Sequence, residues 1–280
     1  MRGQVSSEAR AVDPLSRGSN ALAGERSAPT RSAERVRIGQ IWIDAVTRAG
    51  ALDRIESLIA AGQGGRVFTP NVDHVVNVER DPDFLGAYRA AELVLCDGQP
   101  LLWASRILRT PLPAKVSGSD LVQPLLRRAG ERGWRVFLLG GGPGVAAEVA
   151  RRAKANLGVN VVGTASPRIE RKASPVDPEL VAQIVDARTQ LLLVGLGAPK
   201  QELWIHRSAR AIAPAVSVGV GASLDFLAGH VRRAPPWMSR AGLEWLFRLA
   251  QEPRRLWRRY LVDDVRFAPI LLRALIEAQP

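Results

Sequence analysis

The feature of this chain that most restricts its fold is a series of short, mainly apolar runs, each followed by a segment with helical periodicity. The runs are Val67–Thr69, Leu93–Cys96, Val136–Leu139, Val159–Val162, Leu191–Val194 and Ala215–Val218. A strand or hairpin is predicted before them, at Val36–Ile43. Runs without polar alternation indicate strands buried on both faces, and the intervening helices indicate that these strands are parallel. The sequence therefore predicts an α/β fold, a Rossmann-like parallel sheet with helices on both faces.

The segments before and after this alternating region differ from it in composition. Residues 1–34 are rich in Ser, Ala, Arg, Gly and Pro without sustained periodicity, which predicts a disordered leader. Residues 35–230 hold the alternation and are predicted to form the α/β domain. Residues 231–280 are rich in Arg and Trp and show two helical stretches, with Ser239 as the expected N-cap and Pro253 as the expected break. We therefore predict a helical C-terminal appendage on the α/β domain.

This appendage carries half of the chain's formal net charge of +12, since Val231–Arg259 contains eight Arg and two Glu. Such charge indicates an anionic partner, which could be a nucleic acid, lipid head groups or a phosphorylated substrate. Trp237, Trp245 and Trp257 lie among the arginines, and Trp is enriched at membrane interfaces. The longest uncharged run, Ala211–Leu224, has 14 residues. A spanning helix needs about 20 apolar residues, so the sequence excludes a membrane span and leaves contact with a membrane surface open.

The sequence predicts neither a metal site nor an organic cofactor. The single Cys96 excludes an intramolecular disulfide and is typical of a cytoplasmic protein, and three scattered His with one Cys give no zinc-binding spacing. Asp81–Asp83 has the spacing of a metal-binding pair, but it lies between helical segments, where helix capping is the better interpretation. The glycine loop Gly140–Gly144 does not match the dinucleotide-binding pattern, because Val145 occupies its third glycine position.

Asp97 follows one of the predicted strands and is the strongest candidate for a catalytic group. A carboxylate at the end of a buried strand, beside a glycine that admits a ligand, could act as a general base, which contributes about 10²–10⁴-fold to a rate. Asp-Gly is also a common turn sequence, and Asp97 could instead cap the helix that begins near Pro100. Position alone leaves the two interpretations equally open.

Other strand ends carry groups that could bind a phosphate or a sugar, because ligands of such sheets gather at the carboxyl ends of the strands. These candidates are Thr69, Asn71, Gly140, Gly141, Lys200, Gln201 and Asp225. The first two could instead cap the next helix, and the two glycines could form only a tight strand–helix turn. The polar pair at 200 and 201 could merely solvate the first turn of a helix.

Taken in order, these segments resemble the WecG/TagA/CpsF family of bacterial glycosyltransferases. The matching stretches are Thr69–His74, Asp97–Pro100, Phe137–Gly144, Val162–Thr164, Leu193–Glu202 and Gly219–Tyr260. The resemblance extends from about Arg35 to Phe267. It implies an inverting, metal-independent transferase that moves a sugar from a UDP donor to a membrane-bound, polyprenyl-diphosphate-linked sugar. The sugar would be of the N-acetylmannosamine type, its uronic acid or glucose, and the product would serve teichoic acid or other surface polysaccharides.

The resemblance also implies roles for residues. Asp97 would be the general base on the acceptor hydroxyl, with Thr69 beside it. Arg248, Arg255 and Arg258 would close over the site and face the diphosphate. The residues expected to contact the nucleotide sugar are Asn71, Gln201 and Asp225. The α/β domain would then be catalytic, and the appendage would both complete the site and bind the anionic inner face of the plasma membrane from the cytoplasm.

Two departures from the family pattern, and two rival functions, qualify these expectations. Ala165–Pro167 stands where family members often carry an aromatic pair, which puts donor contacts from this loop in doubt. Phe267–Ala278 adds an apolar segment that could reach lipid or a second subunit, so a homo-oligomer stays open. The rivals are a nucleic-acid-binding protein that uses the Arg/Trp appendage and a non-catalytic nucleotide-binding scaffold. Arginines beside tryptophans fit a membrane surface at least as well, and we expect no nucleic-acid partner.

Overall fold

The computed structural model describes residues 35–169, 176–231 and 234–277, without the side chains of Pro236, Arg240 and Arg255. The predicted leader, residues 1–34, lies outside the described residues.

The described chain begins with an antiparallel hairpin of two strands, β1 (Arg35–Ile38) and β2 (Ile41–Asp44). Asp44 is buried at the end of this hairpin. Its carboxylate accepts hydrogen bonds from Nε of Arg35 (3.0 Å) and from the backbone N–H of Val94 (2.8 Å). The second bond joins the hairpin to a strand of the main sheet. That sheet begins after the next helix.

The main sheet has six parallel strands, as the sequence predicts. They are β3 (Gly65–Phe68), β4 (Leu93–Val94), β5 (Arg135–Gly140), β6 (Asn160–Ala165), β7 (Leu191–Gly195) and β8 (Val216–Gly219). Their spatial order is β4-β3-β8-β7-β5-β6. Because all six run in the same direction, the segments that follow them meet at one edge of the sheet.

Nine helices lie along residues 35–231 as far as the structure describes them. They are α1 (Arg48–Ala61), α2 (Val72–Val78), α3 (Pro82–Arg89), α4 (Gln99–Ile107), α5 (Gly118–Arg132), α6 (Val145–Leu157), α7 (Pro178–Asp186), α8 (Lys200–Ser208) and α9 (Ser223–Leu227). Asp81 is the N-cap of α3, and its Oδ1 accepts a hydrogen bond from the backbone N–H of Phe84 (3.1 Å). The capping interpretation of Asp81–Asp83 is therefore confirmed.

Two apolar clusters cover the two faces of the sheet. Consecutive strand residues belong to opposite clusters: Phe68 and Leu192 lie in one, and Val67 and Leu193 lie in the other. All four side chains are fully buried. This confirms the prediction that the uninterrupted apolar runs are strands covered by helices on both sides.

The C-terminal segment is helical but broken into short pieces. These are α10 (Pro236–Arg240), α11 (Glu244–Gln251), α12 (Pro253–Arg258), a π-helical turn (Arg259–Asp263), a 3₁₀ turn (Asp264–Arg266) and α13 (Phe267–Glu277). The break at Pro253 is confirmed. The prediction for Ser239 is wrong: it lies inside α10, and α11 begins after Leu243.

The last helix, α13, turns back onto the α/β domain. Ile270 is buried, and it belongs to the same apolar cluster as Val75 of α2. A Cβ placed on Gly39 of the hairpin would lie 3.0 Å from Ile270 and 3.1 Å from Val75, so hairpin, α2 and α13 meet at one point. Among the helices of the described ranges, none combines the length and apolar character needed to cross a bilayer.

Candidate active site

A cavity of about 1190 Å³ lies between the carboxyl ends of the strands and the C-terminal helices. Its walls come from the segments after β3, β4, β7 and β8, from the loops around Lys115 and Arg168, and from residues of α11 and the turns after α12. Small-ligand pockets typically measure about 300–1,000 Å³. The cavity is therefore slightly larger than the usual range for a single small ligand.

Asp97 lies half-buried in the wall of this cavity. Its backbone N–H donates to the carbonyl of Pro70 (2.9 Å), which holds the end of β4 against the end of β3. The N-cap of α4 is Gly98 at φ 119°, so the alternative in which Asp97 caps this helix does not hold. None of the described residues donates a hydrogen bond to its carboxylate. The carboxylate is thus available to a ligand.

The surroundings of Asp97 favour its neutral form. Burial raises the pKa of the Asp97 carboxyl to about 7, and the charges of Glu244 and Asp120 act in the same direction, against Lys115 and His74. A carboxyl group whose pKa lies near neutrality can take up and release a proton at physiological pH.

Lys115 and Glu244 were not selected from the sequence, yet they join the appendage to the wall beside Asp97. Lys115 Nζ donates to Ser239 Oγ (2.9 Å) and lies 3.6 Å from the carboxylates of both Glu244 and Asp120. Ser239 Oγ in turn donates to Glu244 (2.9 Å). Only the rarity of lysine in an arginine-rich chain could have drawn attention to Lys115, and that signal is weak.

The two polar residues after β3 both line the cavity, and both also have structural partners. Thr69 is buried, and its hydroxyl donates to the carbonyl of Gly219 at the end of β8 (3.2 Å). Asn71 is the N-cap of α2, which confirms the helix-capping interpretation of this residue. Its Oδ1 also accepts a hydrogen bond from Nη2 of Arg259 (3.1 Å). Capping and a place in the site are therefore compatible for Asn71.

Lys200 and Gln201 begin α8 and also line the cavity. Lys200 Nζ donates to the backbone carbonyl of Ile169 and so holds the loop after β6. Gln201 is buried, and its Oε1 accepts from the backbone N–H of Gly221 (3.0 Å). Both side chains have partners within the protein, so neither simply solvates a helical turn.

The glycine loop after β5 binds a carboxylate. The backbone N–H of Gly142 donates to Oδ1 of Asp225 (3.3 Å), and both Gly141 and Asp225 line the cavity. Gly140 does not line it. A Cβ placed on Gly140 would lie 2.5 Å from the carbonyl oxygen of Gly195, so this glycine permits the close approach of β5 to β7.

The arginines of the appendage that line the cavity are not the set expected from the sequence. Arg248 lines the cavity, whereas Arg258 is exposed and does not. The side chain of Arg255 lies outside the described residues. Arg259, which the sequence analysis did not select, lines the cavity, and its guanidinium lies 3.4 Å from the carboxylate of Asp73. The turn at Arg259–Asp263 is π-helical. A periodicity of 3.6 residues therefore does not predict which side chains of this segment face the cavity.

The charges lining the cavity are mixed. The basic side chains are Lys115, Arg168, Lys200, Arg248 and Arg259, and the acidic ones are Asp97, Asp225, Glu244 and Asp264. A carboxylate with a near-neutral pKa beside several cations can combine proton abstraction with stabilisation of an anionic leaving group. Across the described ranges, no three His, Cys, Asp or Glu side chains are grouped as a set of metal ligands.

Comparison with known protein families gives a match over most of the chain. The family model described as "Glycosyl transferase WecG/TagA/CpsF family" matches residues 36–280. The matched region includes the whole sheet and all of the cavity-lining residues. The resemblance drawn from the sequence motifs is thereby confirmed.

Proposed function

Because the chain belongs to the WecG/TagA/CpsF family of glycosyltransferases, we propose that it moves a sugar from a UDP-sugar to a sugar carried on polyprenyl diphosphate. The transferred sugar is of the N-acetylmannosamine type, its uronic acid or glucose. The product enters the synthesis of teichoic acid or another surface polysaccharide. The observation that carries this proposal is Asp97, a carboxyl of pKa about 7 in the wall of a cavity that Arg248 and Arg259 also line.

In the proposed reaction, Asp97 takes the proton of the acceptor hydroxyl as the hydroxyl oxygen attacks the anomeric carbon. The bond between that carbon and the phosphate oxygen breaks, and UDP leaves with an additional negative charge. A single displacement of this kind inverts the anomeric configuration. One carboxylate is sufficient for it, because no covalent sugar–enzyme intermediate forms.

The departing diphosphate needs a positive counterpart. Arg248 and Arg259 line the cavity from the appendage, and a guanidinium is permanently charged and matches the geometry of phosphate oxygens. With arginines in this role, the reaction needs no metal ion. Asn71 and Gln201 are proposed to bind the nucleotide sugar, with Lys200, Asp225 and the glycine loop alongside.

The acceptor is a lipid, so the enzyme is proposed to work at the cytoplasmic surface of the plasma membrane without crossing it. Trp237, Trp245 and Trp257 are exposed, as are the cationic side chains of Arg254 and Arg258. Tryptophan is favoured at the head-group level, and each basic residue near an anionic leaflet adds about 1 kcal/mol of attraction. An anionic membrane surface is therefore the proposed partner of the appendage.

The direct test is UDP release from a panel of UDP-sugars, with a short polyprenyl-diphosphate-GlcNAc as acceptor and a chelator in a parallel reaction. We expect one UDP-sugar to give acceptor-dependent UDP release that persists in chelator, and NMR of the product to show the opposite anomeric configuration to the donor. Retention of configuration, or release that stops on chelation, would contradict the proposed mechanism. Absence of release with every donor would support a non-catalytic protein.

A second measurement separates the membrane surface from nucleic acid as the anionic partner. We expect the protein to co-sediment with anionic vesicles and to bind duplex DNA only weakly at physiological salt. Strong DNA binding with a steep salt dependence, and no vesicle binding, would favour the nucleic-acid alternative.

A further inference from the structure

A buried histidine in the wall of the cavity and a buried glutamate connect the two amide side chains that the proposed function assigns to the nucleotide sugar. His74 lies in the first turn of α2 with 5% of its surface exposed, and Glu202 lies in the first turn of α8 with 0% exposed. Asn71 lies shortly before His74 in the chain, and Gln201 lies immediately before Glu202. The orientation of each amide decides whether it presents an oxygen or an NH₂ group to a ligand.

The orientation of Gln201 is fixed at both ends. Its Nε2 donates to Oε1 of Glu202 (2.7 Å), and its Oε1 accepts from the backbone N–H of Gly221 (3.0 Å). Reversing the amide would place its oxygen against a carboxylate and its NH₂ against a backbone donor. Glu202 is therefore the side chain that, together with the backbone N–H of Gly221, sets the orientation of Gln201.

The orientation of Asn71 is fixed by His74 together with the appendage. Nη2 of Arg259 lies 3.1 Å from Oδ1 of Asn71, and a guanidinium can only donate. This identifies the atom as the amide oxygen. Nδ1 of His74 lies 2.7 Å from the same oxygen and must therefore carry a proton. The backbone N–H of Asn71 lies 3.2 Å from Nδ1, which by itself favours an unprotonated Nδ1, but the contact with Oδ1 is the shorter of the two.

The other nitrogen of the imidazole faces the carboxylate. Nε2 of His74 lies 3.4 Å from Oε1 of Glu202. The buried Glu202 carboxyl group therefore has the imidazole edge and the amide of Gln201 as polar neighbours, and burial without such partners would be strongly disfavoured. The rings of Phe84 and Tyr88 also pack around the imidazole, and Asp97 and Asp264 lie close enough to interact with it electrostatically.

We propose that His74, with a proton on Nδ1, and Glu202 hold the amides of Asn71 and Gln201 in the orientation that binds the donor nucleotide. They are positioning residues, because neither takes part in the transfer itself. The inference rests on the proposed function only in naming the ligand of the two amides.

The hydrogen bond of His74 can be tested without any variant. In full-length protein with ¹⁵N-labelled histidine, we expect Nδ1 of His74 to show the chemical shift and one-bond coupling of a protonated nitrogen. An unprotonated Nδ1 would overturn the proposed contact with Asn71 whatever the protein's activity.

The positioning role can be tested by UDP binding to the Glu202→Gln variant, measured by calorimetry. The substitution keeps the side-chain size but replaces the carboxyl group that accepts from Gln201 by an amide, so we expect UDP to bind about tenfold more weakly. The matched control is Tyr88→Phe, which removes another buried polar group in the same surroundings and should leave UDP affinity unchanged.

The outcomes separate this inference from the proposed function. If Glu202→Gln binds UDP as well as the wild type and differs only in melting temperature, the pair is structural and the positioning role is wrong. If Tyr88→Phe weakens binding equally, the effect comes from local packing and the positioning role is again wrong. If the wild-type protein binds no UDP, the proposed function fails, while the proton on Nδ1 of His74 still decides whether His74 orients Asn71.

Discussion

The strands that end at the cavity and the helices that close it differ in how much of their apolar surface is buried. Strand residues such as Leu192 and Leu193 are completely inaccessible, whereas Trp237 in α10 is 59% exposed and Ile276 in α13 is 65% exposed. The appendage is nevertheless tied to the α/β domain at both ends, by the contacts of Lys115 at one end and by Ile270 at the other.

This difference indicates how the two regions share the work of the site. Asp97, the proposed base, is held by a closely packed sheet edge, and dense packing tolerates little displacement. The arginines are held by short helices whose remaining apolar surface is free to meet another surface. We therefore expect changes in the sheet region to abolish chemistry, and changes in the appendage to act in a graded way on leaving-group stabilisation and membrane binding.

The largest effect is expected for Asp97→Asn. Loss of the base should lower kcat/KM for transfer by about 10²–10⁴-fold. The raised pKa means that ionisation of Asp97 destabilises the folded protein relative to the unfolded chain. This destabilisation is absent below the pKa that Asp97 has in the unfolded chain and complete above pH about 7. Asp97→Asn should therefore have a higher free energy of unfolding than the wild type in alkaline buffer, with the difference disappearing in acid.

Turnover and urea unfolding at several pH values would check both parts. The matched control is Asp177→Asn, at the exposed N-cap of α7, where Asn caps equally well. Full turnover of Asp97→Asn would show that transfer does not need this carboxylate. The expected contrast between a sheet region essential for chemistry and an appendage with graded effects would then be wrong.

The next largest effect is expected for Arg259→Ala, compared with its neighbour Arg258→Ala. Arg259 lines the cavity and Arg258 is exposed, so only the first should impair stabilisation of the leaving diphosphate. Removing one such donor costs on the order of 10²-fold in kcat. Arg259→Lys should recover part of the loss, because it keeps the charge but not the bidentate geometry.

This comparison should use a short-chain acceptor in solution, so that membrane binding does not contribute to the rates. Equal losses for the two alanine variants would mean that this helix turns a different face toward the cavity during catalysis. A loss for Arg258→Ala alone would assign the leaving diphosphate to Arg258, as the family resemblance implies, and not to Arg259.

A smaller effect, limited to membrane binding, is expected for Trp237→Glu. Removing one exposed aromatic anchor and adding a negative charge should weaken sedimentation with anionic vesicles by about tenfold. Turnover of the short-chain acceptor should be unchanged. Val185→Glu is the control, since Val185 is also exposed but lies in α7, which follows the strand at the far edge of the sheet. Equal weakening by both would show that vesicle binding reports net charge rather than a docking surface.

The smallest effect is expected for Glu244→Gln, which tests whether the appendage tunes the base. After burial, Glu244 is the largest contributor to the raised pKa of Asp97, so removing its charge should lower that pKa. Activity of a general base is lost as pH falls through its pKa, so the acid limb of the pH–kcat/KM profile should move to lower pH. Lys115→Met should move it to higher pH, because the Lys115 charge acts in the opposite direction. Two profiles that shift together in the same direction would contradict this coupling.

The sheet and one catalytic candidate could be read from the sequence because both depend on local pattern. Unbroken apolar runs such as Leu191–Val194 identify buried parallel strands, and the residue after such a strand, as with Asp97, must lie at the edge where ligands bind. The appendage was predictable as helical, but its register was not. Its helices are short, and a π-helical turn after Arg258 changes which arginine faces inward.

The class of fold, the sheet edge that carries the candidate site and the family of the chain can all be predicted from the sequence, because hydrophobic periodicity and motif order are properties of neighbouring residues. The three-dimensional packing was needed to show that Lys115 and Glu244 flank Asp97, that Arg259 contacts Asn71 and that His74 faces Glu202. Glu244, Arg259 and Glu202 each lie more than 100 positions along the chain from the residue that they meet. Such contacts follow from how helices pack on the sheet, which no local periodicity encodes.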